Sequence, residues 1–272
     1  MASNMSFYDR FRIRQGSAVD LSAIPTDDDG NLDQRETQEA TKNLIERIVA
    51  LQELMFAEGK HSLLIVLQAM DAAGKDSVIR NVFGPVNAQG LNVASFKAPS
   101  AIELAHDYLW RIHSATPRKG TVTIFNRSHY EDVLVVRVKN LVSENKWSKR
   151  YEHINQFEKL LEDEGTHIVK FYLHISPEYQ KKQFIQRLED PKKQWKFNPK
   201  DLDDRALWPE FQQAYEAALS KCSTEFAPWY VVPAEKKWFR NYLIASVIVD
   251  LLESLKMEYP KPDFDPSSIH FD

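Results

Sequence analysis

At 272 residues, 43% hydrophobic and 27% charged, the chain has an ordinary globular composition and enough length to bury the core of one large α/β domain. A formal net charge of −4 excludes a protein that coats nucleic acid by broad phosphate neutralisation, so any polyanion site has to be local. The single cysteine, Cys222, excludes an internal disulfide; no Cys/His spacing suits zinc, and a reducing, cytoplasmic setting is expected.

Residues 1–35 are polar, lack the apolar core of an export signal, and read as a loosely packed N-terminal arm. From Glu36 to Glu58, Leu44, Ile48, Leu51, Leu54 and Met55 recur at helical spacing and predict an amphipathic helix lying over a sheet. Leu63 to Leu67 form an unbroken apolar run, too short for a helix, which predicts a strand buried on both faces.

The small-residue stretch Ala69 to Lys75 follows, and then a helix. Strand, loop and helix in this order cradle a phosphate, with backbone N–H groups and a lysine converging at a helix N-terminus. The formal pattern G-x-x-x-x-G-K-[ST] is not met: Ala69 stands for the first glycine and Asp76 for the hydroxyl residue, while Ser77 comes one position late. Gly74 and Lys75 are in place, and Ala72 and Ala73 leave the loop backbone open. A bare Gly-Lys pair also marks an ordinary turn with a surface lysine; the buried strand ahead of it favours the cradle.

Leu91 to Phe96 predict a second strand stopped by Pro99, Ala101 to His113 one helix, and Thr121 to Phe125 a third strand. Asn126, Arg127, Ser128, Tyr130 and Glu131 come directly after it. Ligands of open α/β sheets bind beyond the carboxyl ends of the strands, so this cluster is expected near Lys75. The polar stretch Val138 to Tyr151 predicts a mobile segment over the site, Tyr151 to Glu164 a helix, and Ile168 to Ile175 a fourth strand.

Ser176 and Pro177 open a helix that runs into a stretch carrying Lys181, Lys182, Arg187, Lys192, Lys193, Lys196 and Lys200, which predicts a basic lid for a polyanion. Pro209 to Cys222 predict a helix, Trp229 to Val232 a fifth strand and Trp238 to Leu255 a closing helix, followed by an extended proline-rich tail. The longest apolar stretch, Leu243 to Leu252, is too short to span a bilayer and holds Asp250, so no membrane span is expected. His113, His129 and His174 have no second ligand at metal-site spacing and are expected to be packed or hydrogen-bonded.

Taken together, LQAMDAAGKDS, FKAPS, HDYLWRIH, IFNRSHYEDV, RLEDPKKQWKF and WYVVPAEKKWFRN resemble the P-loop type of the polyphosphate kinase 2 family, in order from Phe11 to Leu255. The resemblance implies an α/β P-loop kinase fold similar to thymidylate kinase: a parallel five-stranded sheet wrapped by helices, with lid segments near 138–151 and 187–205. It divides the chain into the arm, a kinase domain over 36–258 and a tail over 259–272.

It further implies Mg²⁺-dependent transfer of a terminal phosphoryl group between inorganic polyphosphate and AMP or ADP, with nucleotide synthesis favoured and ATP among the products. Asn126, where many members carry aspartate, resembles the subgroup acting on both mono- and diphosphates. A homo-oligomer is compatible with the resemblance; nucleic acid and membrane are not expected as partners.

The resemblance assigns transfer to Asp71, Lys75, Asn126, Arg127 and Glu131, with Asp71, Asn126 and Glu131 around the magnesium ion. Ala72, Ala73, Gly74, Lys75, Asp76, Ser77, Arg80, Lys97, Arg127, Arg187, Lys192 and Lys193 are expected along the polyphosphate. Arg111, Arg118, Lys237 and Arg240 are the candidates for the nucleotide. Two rivals share the cradle: a nucleoside monophosphate kinase with a nucleoside triphosphate donor, and a non-catalytic polyphosphate or nucleotide sensor.

Overall fold

All seven residues of Ser62–Gln68 are buried, and alternate side chains enter opposite cores: Leu63, Ile65 and Leu67 on one side, Leu64 and Val66 on the other. This is the pattern of a central strand covered on both faces. In the computed structural model, which describes residues 7–269, this strand, β1, is the middle of a parallel five-stranded sheet. With β2 (Leu91–Ser95), β3 (Val122–Asn126), β4 (Thr166–His174) and β5 (Trp229–Pro233) the order is β2-β3-β1-β4-β5. The expected sheet is present, and β1 and β3 are direct neighbours.

One core is closed by α1 (Gln34–Glu58) and α2 (Lys75–Val82), together with the last helix of the chain. Asp33 caps α1 by accepting from the Glu36 amide at 2.9 Å, and Gly59 ends it in the left-handed region, φ 68°. The helix predicted over 101–113 is instead two single turns, α3 (Ala101–Leu104) and α4 (Trp110–His113). A capping box of Ser100 and Glu103 starts the first, and between the two Asp107 accepts from the Leu109 amide at 2.9 Å in a local turn; these side-chain to backbone bonds compete with one continuous helix.

After β3 come α5 (Val135–Val138) and α6 (Glu144–Asp163), so the second half of the expected mobile segment 138–151 is helix. Its inward face begins with Trp147, partly buried against the second core, and continues through Tyr151, Ile154, Phe157 and Leu161; the aromatic start hid the period. The remaining helices are α7 (Pro177–Glu189), α8 (Lys200–Ala206), α9 (Trp208–Cys222) and α10 (Lys237–Ser254). The last of these completes the first core, while α6 and α9 fill the second.

The arm is not loosely packed where it is described. Phe11 and Leu21 are buried, Ile13 donates its amide to the Trp229 carbonyl at 2.8 Å, and Arg12 forms an antiparallel bridge with Tyr230 on β5. Residues 1–6 of the expected arm and 270–272 of the tail lie outside the described residues. No helix among the described residues is long and apolar enough to cross a membrane.

Candidate active site

The chain leaves β1 at Gln68 and turns through Ala72 at φ 68° and Gly74 at φ 101° into the first turn of α2. The opening N–H groups of a helix have no intrahelical acceptor and carry the positive end of its dipole, which makes this turn an anion cradle. Lys75 folds back over the loop and donates to the Ala69 carbonyl at 3.1 Å. Burial pulls its pKa down, opposed by the negative charges of Asp71 and Glu131.

Parallel pairing sets Leu67 against Asn126, so β3 delivers the next residues beside the cradle. Arg127 sits at φ 62°, its amide bonded to the Leu67 carbonyl at 3.1 Å and its Nη2 donating to Asp71 Oδ1 at 2.8 Å. Asn126 Nδ2 donates to Asp76 Oδ1 at 2.8 Å. Burial raises the pKa of Glu131, while Arg127 and Lys75 pull it down. The expected convergence of Asp71, Lys75, Asn126, Arg127 and Glu131 is therefore what the fold produces.

Ser128 and Tyr130, expected at this edge, face the interior with His129, and all three are buried. The Ser128 hydroxyl accepts from the Tyr130 amide at 3.2 Å and from Gln68 Nε2 at 3.3 Å. His129 lies 3.1 Å from Glu158, Tyr130 donates to the same carboxylate at 2.9 Å, and Lys170 ion-pairs with it. A left-handed non-glycine residue such as Arg127 is strained unless its surroundings over-determine it. This buried network supplies that restraint immediately downstream.

Two cations, an anion cradle and a set of carboxylates meet at the carboxyl ends of adjacent parallel strands, an arrangement that positions and neutralises a phosphoryl group. The family model of polyphosphate kinase 2 matches residues 31–262. The chain belongs to the polyphosphate kinase 2 family. It is 52% identical over 256 residues to the AMP/ADP-polyphosphate phosphotransferase of Meiothermus ruber, covering 93% of this chain and 96% of that protein. The ADP-polyphosphate phosphotransferase of Rhodopseudomonas palustris is 43% identical over 265 residues, covering 93% and 92%. The crystal structure of polyphosphate kinase 2 from Arthrobacter aurescens superposes with a TM-score of 0.91 at 40% identity, covering 94% of this chain and 93% of that one.

Within this polyphosphate kinase 2 chain, not every expected residue reaches the site. Arg118 lies at the opposite, amino-terminal end of β3, where Gly120 bonds to His61, and its guanidinium covers Phe56 at 5.8 Å. Arg111 donates to the Lys97 carbonyl at 2.9 Å and props the turn after β2, on which Lys97 itself is exposed. Arg80 is exposed in the last turn of α2. Arg187 donates to the Lys196 carbonyl at 3.4 Å, and Lys192 and Lys193 stand exposed on the same segment, where Lys193 pairs with Asp190 at 2.9 Å.

Lys237 opens α10, its pKa pulled down by burial and then by the charges of Arg240 and Lys193. Arg240, expected at the nucleotide, is instead fully buried behind the phosphate loop, with Nη2 3.1 Å from Ser77 Oγ. Ser77 also accepts from Asn81 at 3.0 Å, so its hydroxyl faces the back of the loop.

Two acidic groups escaped the sequence reading. Asp132 pairs with Arg150 at 2.7 Å, and burial pushes its pKa up to about 6; its signal was its place inside the NRSHYED run. Asp201 on α8 is pushed to about 6 by burial and by the charge of Asp71. Nothing in a DLDD run at the surface announces that approach. Among the described residues no three carboxylate, histidine or cysteine side chains already converge on a metal position. Asp71, Asp76, Asn126 and Glu131 nevertheless carry oxygen donors of the kind taken by a hard divalent cation that binds one or two carboxylates and completes its shell with phosphate oxygens.

Proposed function

We propose that this chain catalyses transfer of a terminal phosphoryl group between inorganic polyphosphate and AMP or ADP, with Mg²⁺ and with nucleotide synthesis as the favoured direction. The observation that carries the reading is the meeting of Arg127, Asp71 and Lys75 across β1 and β3, at the mouth of the loop. The names of the Meiothermus and Rhodopseudomonas relatives support polyphosphate as donor and AMP and ADP as acceptors. The single cysteine is buried and unpaired, in keeping with a reducing, cytoplasmic setting.

Phosphoryl transfer asks a protein for in-line alignment and charge neutralisation more than for covalent chemistry. The loop amides and Lys75 hold the oxygens of the donor's terminal phosphates. Arg127, released from Asp71 toward the phosphate, balances charge on the group in flight. Asp71 with Glu131 or Asn126 would hold the magnesium ion, which supplies charge neutralisation between donor and acceptor oxygens. No general base is needed, because the attacking phosphate oxygen is already ionised at neutral pH.

The basic segment 187–205 acts as the lid over the polyphosphate, tied down through Gln180, which donates to the Asp71 carbonyl at 3.0 Å and accepts from Arg205 at 3.1 Å. Purified protein with Mg²⁺ and polyphosphate is expected to convert AMP to ADP and ADP to ATP, read by chromatography. Turnover only with a nucleoside triphosphate donor would overturn the donor assignment, and phosphate binding without turnover would overturn the catalytic one.

A further inference from the structure

Arg240 projects from the first turn of α10 into the back of the phosphate loop and is fully buried. Its guanidinium meets only neutral partners: the Ala73 carbonyl at 3.4 Å, Ser77 Oγ at 3.1 Å and Asn241 Oδ1 at 3.0 and 3.2 Å. No ion pair joins it to a carboxylate among the described residues, and the charged residue beside it, Lys237, is a second cation. A buried charge without a counter-charge is costly to fold around. Burial accordingly brings its pKa down to about 10.

The contact with the loop is close. A Cβ on Gly74 would come within 2.4 Å of Arg240 Nη1, so a side chain there would have to displace the guanidinium, besides the strain of a φ of 101°. The same glycine turn leads into the first amides of α2, which form the anion cradle. Loop and guanidinium therefore interlock, with the charge held against the turn that receives phosphate.

We propose that Arg240 is a positioning residue of the donor-phosphate cradle: it braces the glycine turn from behind and holds a positive charge whose counter-charge is the phosphate of the bound polyphosphate. The idea rests on the phosphotransfer reading for its ligand, and it separates from that reading because binding can be followed without turnover. A phosphate that completes the charge balance stabilises the folded chain by linkage, and this stabilisation passes through Arg240.

The test compares the wild-type protein, Arg240→Met and Arg240→Lys by thermal unfolding with and without tripolyphosphate, and then by steady-state kinetics. Arg240→Met is expected to unfold no lower than wild type without phosphate and to lose most of the tripolyphosphate-induced shift. Its KM for polyphosphate is expected to rise about tenfold or more, equivalent to ~1.4 kcal/mol, with the KM for the acceptor nucleotide unchanged. Arg240→Lys keeps the charge without the fork and is expected to recover part of the shift.

A lower unfolding temperature with an undiminished tripolyphosphate shift, in Arg240→Met or, should that variant not fold, in the neutral Arg240→Gln, would overturn the proposal and leave a packing role. A rise confined to the acceptor KM would overturn it equally. Wild-type protein that is stabilised by tripolyphosphate but does not turn over polyphosphate would refute the phosphotransfer reading and leave this inference intact.

Discussion

Lys170 and Arg240 are both cations sealed from solvent, on opposite faces of one sheet, and the fold treats them oppositely. Lys170 ion-pairs with Glu158 and donates to the Tyr130 hydroxyl at 2.9 Å and to the Cys222 carbonyl at 2.7 Å, which uses all three of its N–H donors. Arg240 has hydrogen bonds but no carboxylate. A compensated buried charge fixes a conformation; an uncompensated one beside a loop built for anions is held for a ligand. The two support the two strands of the site: Lys170 fixes the turn after β3, and Arg240 backs the loop after β1.

The strongest way to test that division is to remove the cations at the front of the site. Lys75→Ala and Arg127→Ala are expected to lower kcat by about 10³-fold or more with an unchanged far-ultraviolet circular dichroism spectrum. Either variant retaining a tenth of wild-type turnover would take that residue out of the transfer step.

Next comes the compensated pair. Lys170→Met alone leaves the Glu158 charge buried and is expected to cost about 3–5 kcal/mol in denaturant unfolding. Lys170→Met combined with Glu158→Leu is expected to regain most of that stability while kcat stays depressed, because His129 and Tyr130 have lost the acceptor that positions Arg127. Full recovery of kcat in the double variant would show that the network serves stability alone.

The smallest effect is one of pH. His129 is buried and its pKa is held below the usual 6.5, although Glu158 pulls it up. The unfolded chain takes up this proton first, so the stabilisation is complete above pH 6.5 and is lost as pH falls below it, at up to about 1.4 kcal/mol per pH unit. Glu158, whose pKa is lowered chiefly by Lys170 and His129 against burial, extends the loss to pH below 4.5. His129→Gln is expected to flatten the fall of unfolding free energy just below pH 6.5; an unchanged slope there would remove His129 from the acid limb.

Much of the site was legible in the sequence because the strands are apolar runs and the functional residues come at their carboxyl ends. Leu63 to Leu67 and Thr121 to Phe125 predicted β1 and β3, and their adjacency brought Lys75 and Arg127 together. The features that escaped depend on the direction of side chains and on contacts far apart in the chain. His129 and Tyr130 turn inward because a single 3₁₀ turn over His129–Asp132 rotates successive residues away from the strand edge. Arg240 read as a nucleotide-binding cation, and its burial against the phosphate loop escaped because the small residues that receive it, Ala73 and Ser77, lie 167 and 163 positions earlier in the chain. Arg118 read as a site residue from its family position, although it precedes its strand and so belongs to the other end of the sheet.

The described part of the arm carries a different consequence. β5 is an outermost strand, and the Arg12–Tyr230 bridge with the Ile13 amide covers part of its rim. At the other rim Val93 of β2 is 48% exposed. An uncovered strand edge is a template on which another chain can add a strand. The arm therefore shields part of that edge: shortening it past Ile13 is expected to expose β5 and open a route to edge-to-edge association.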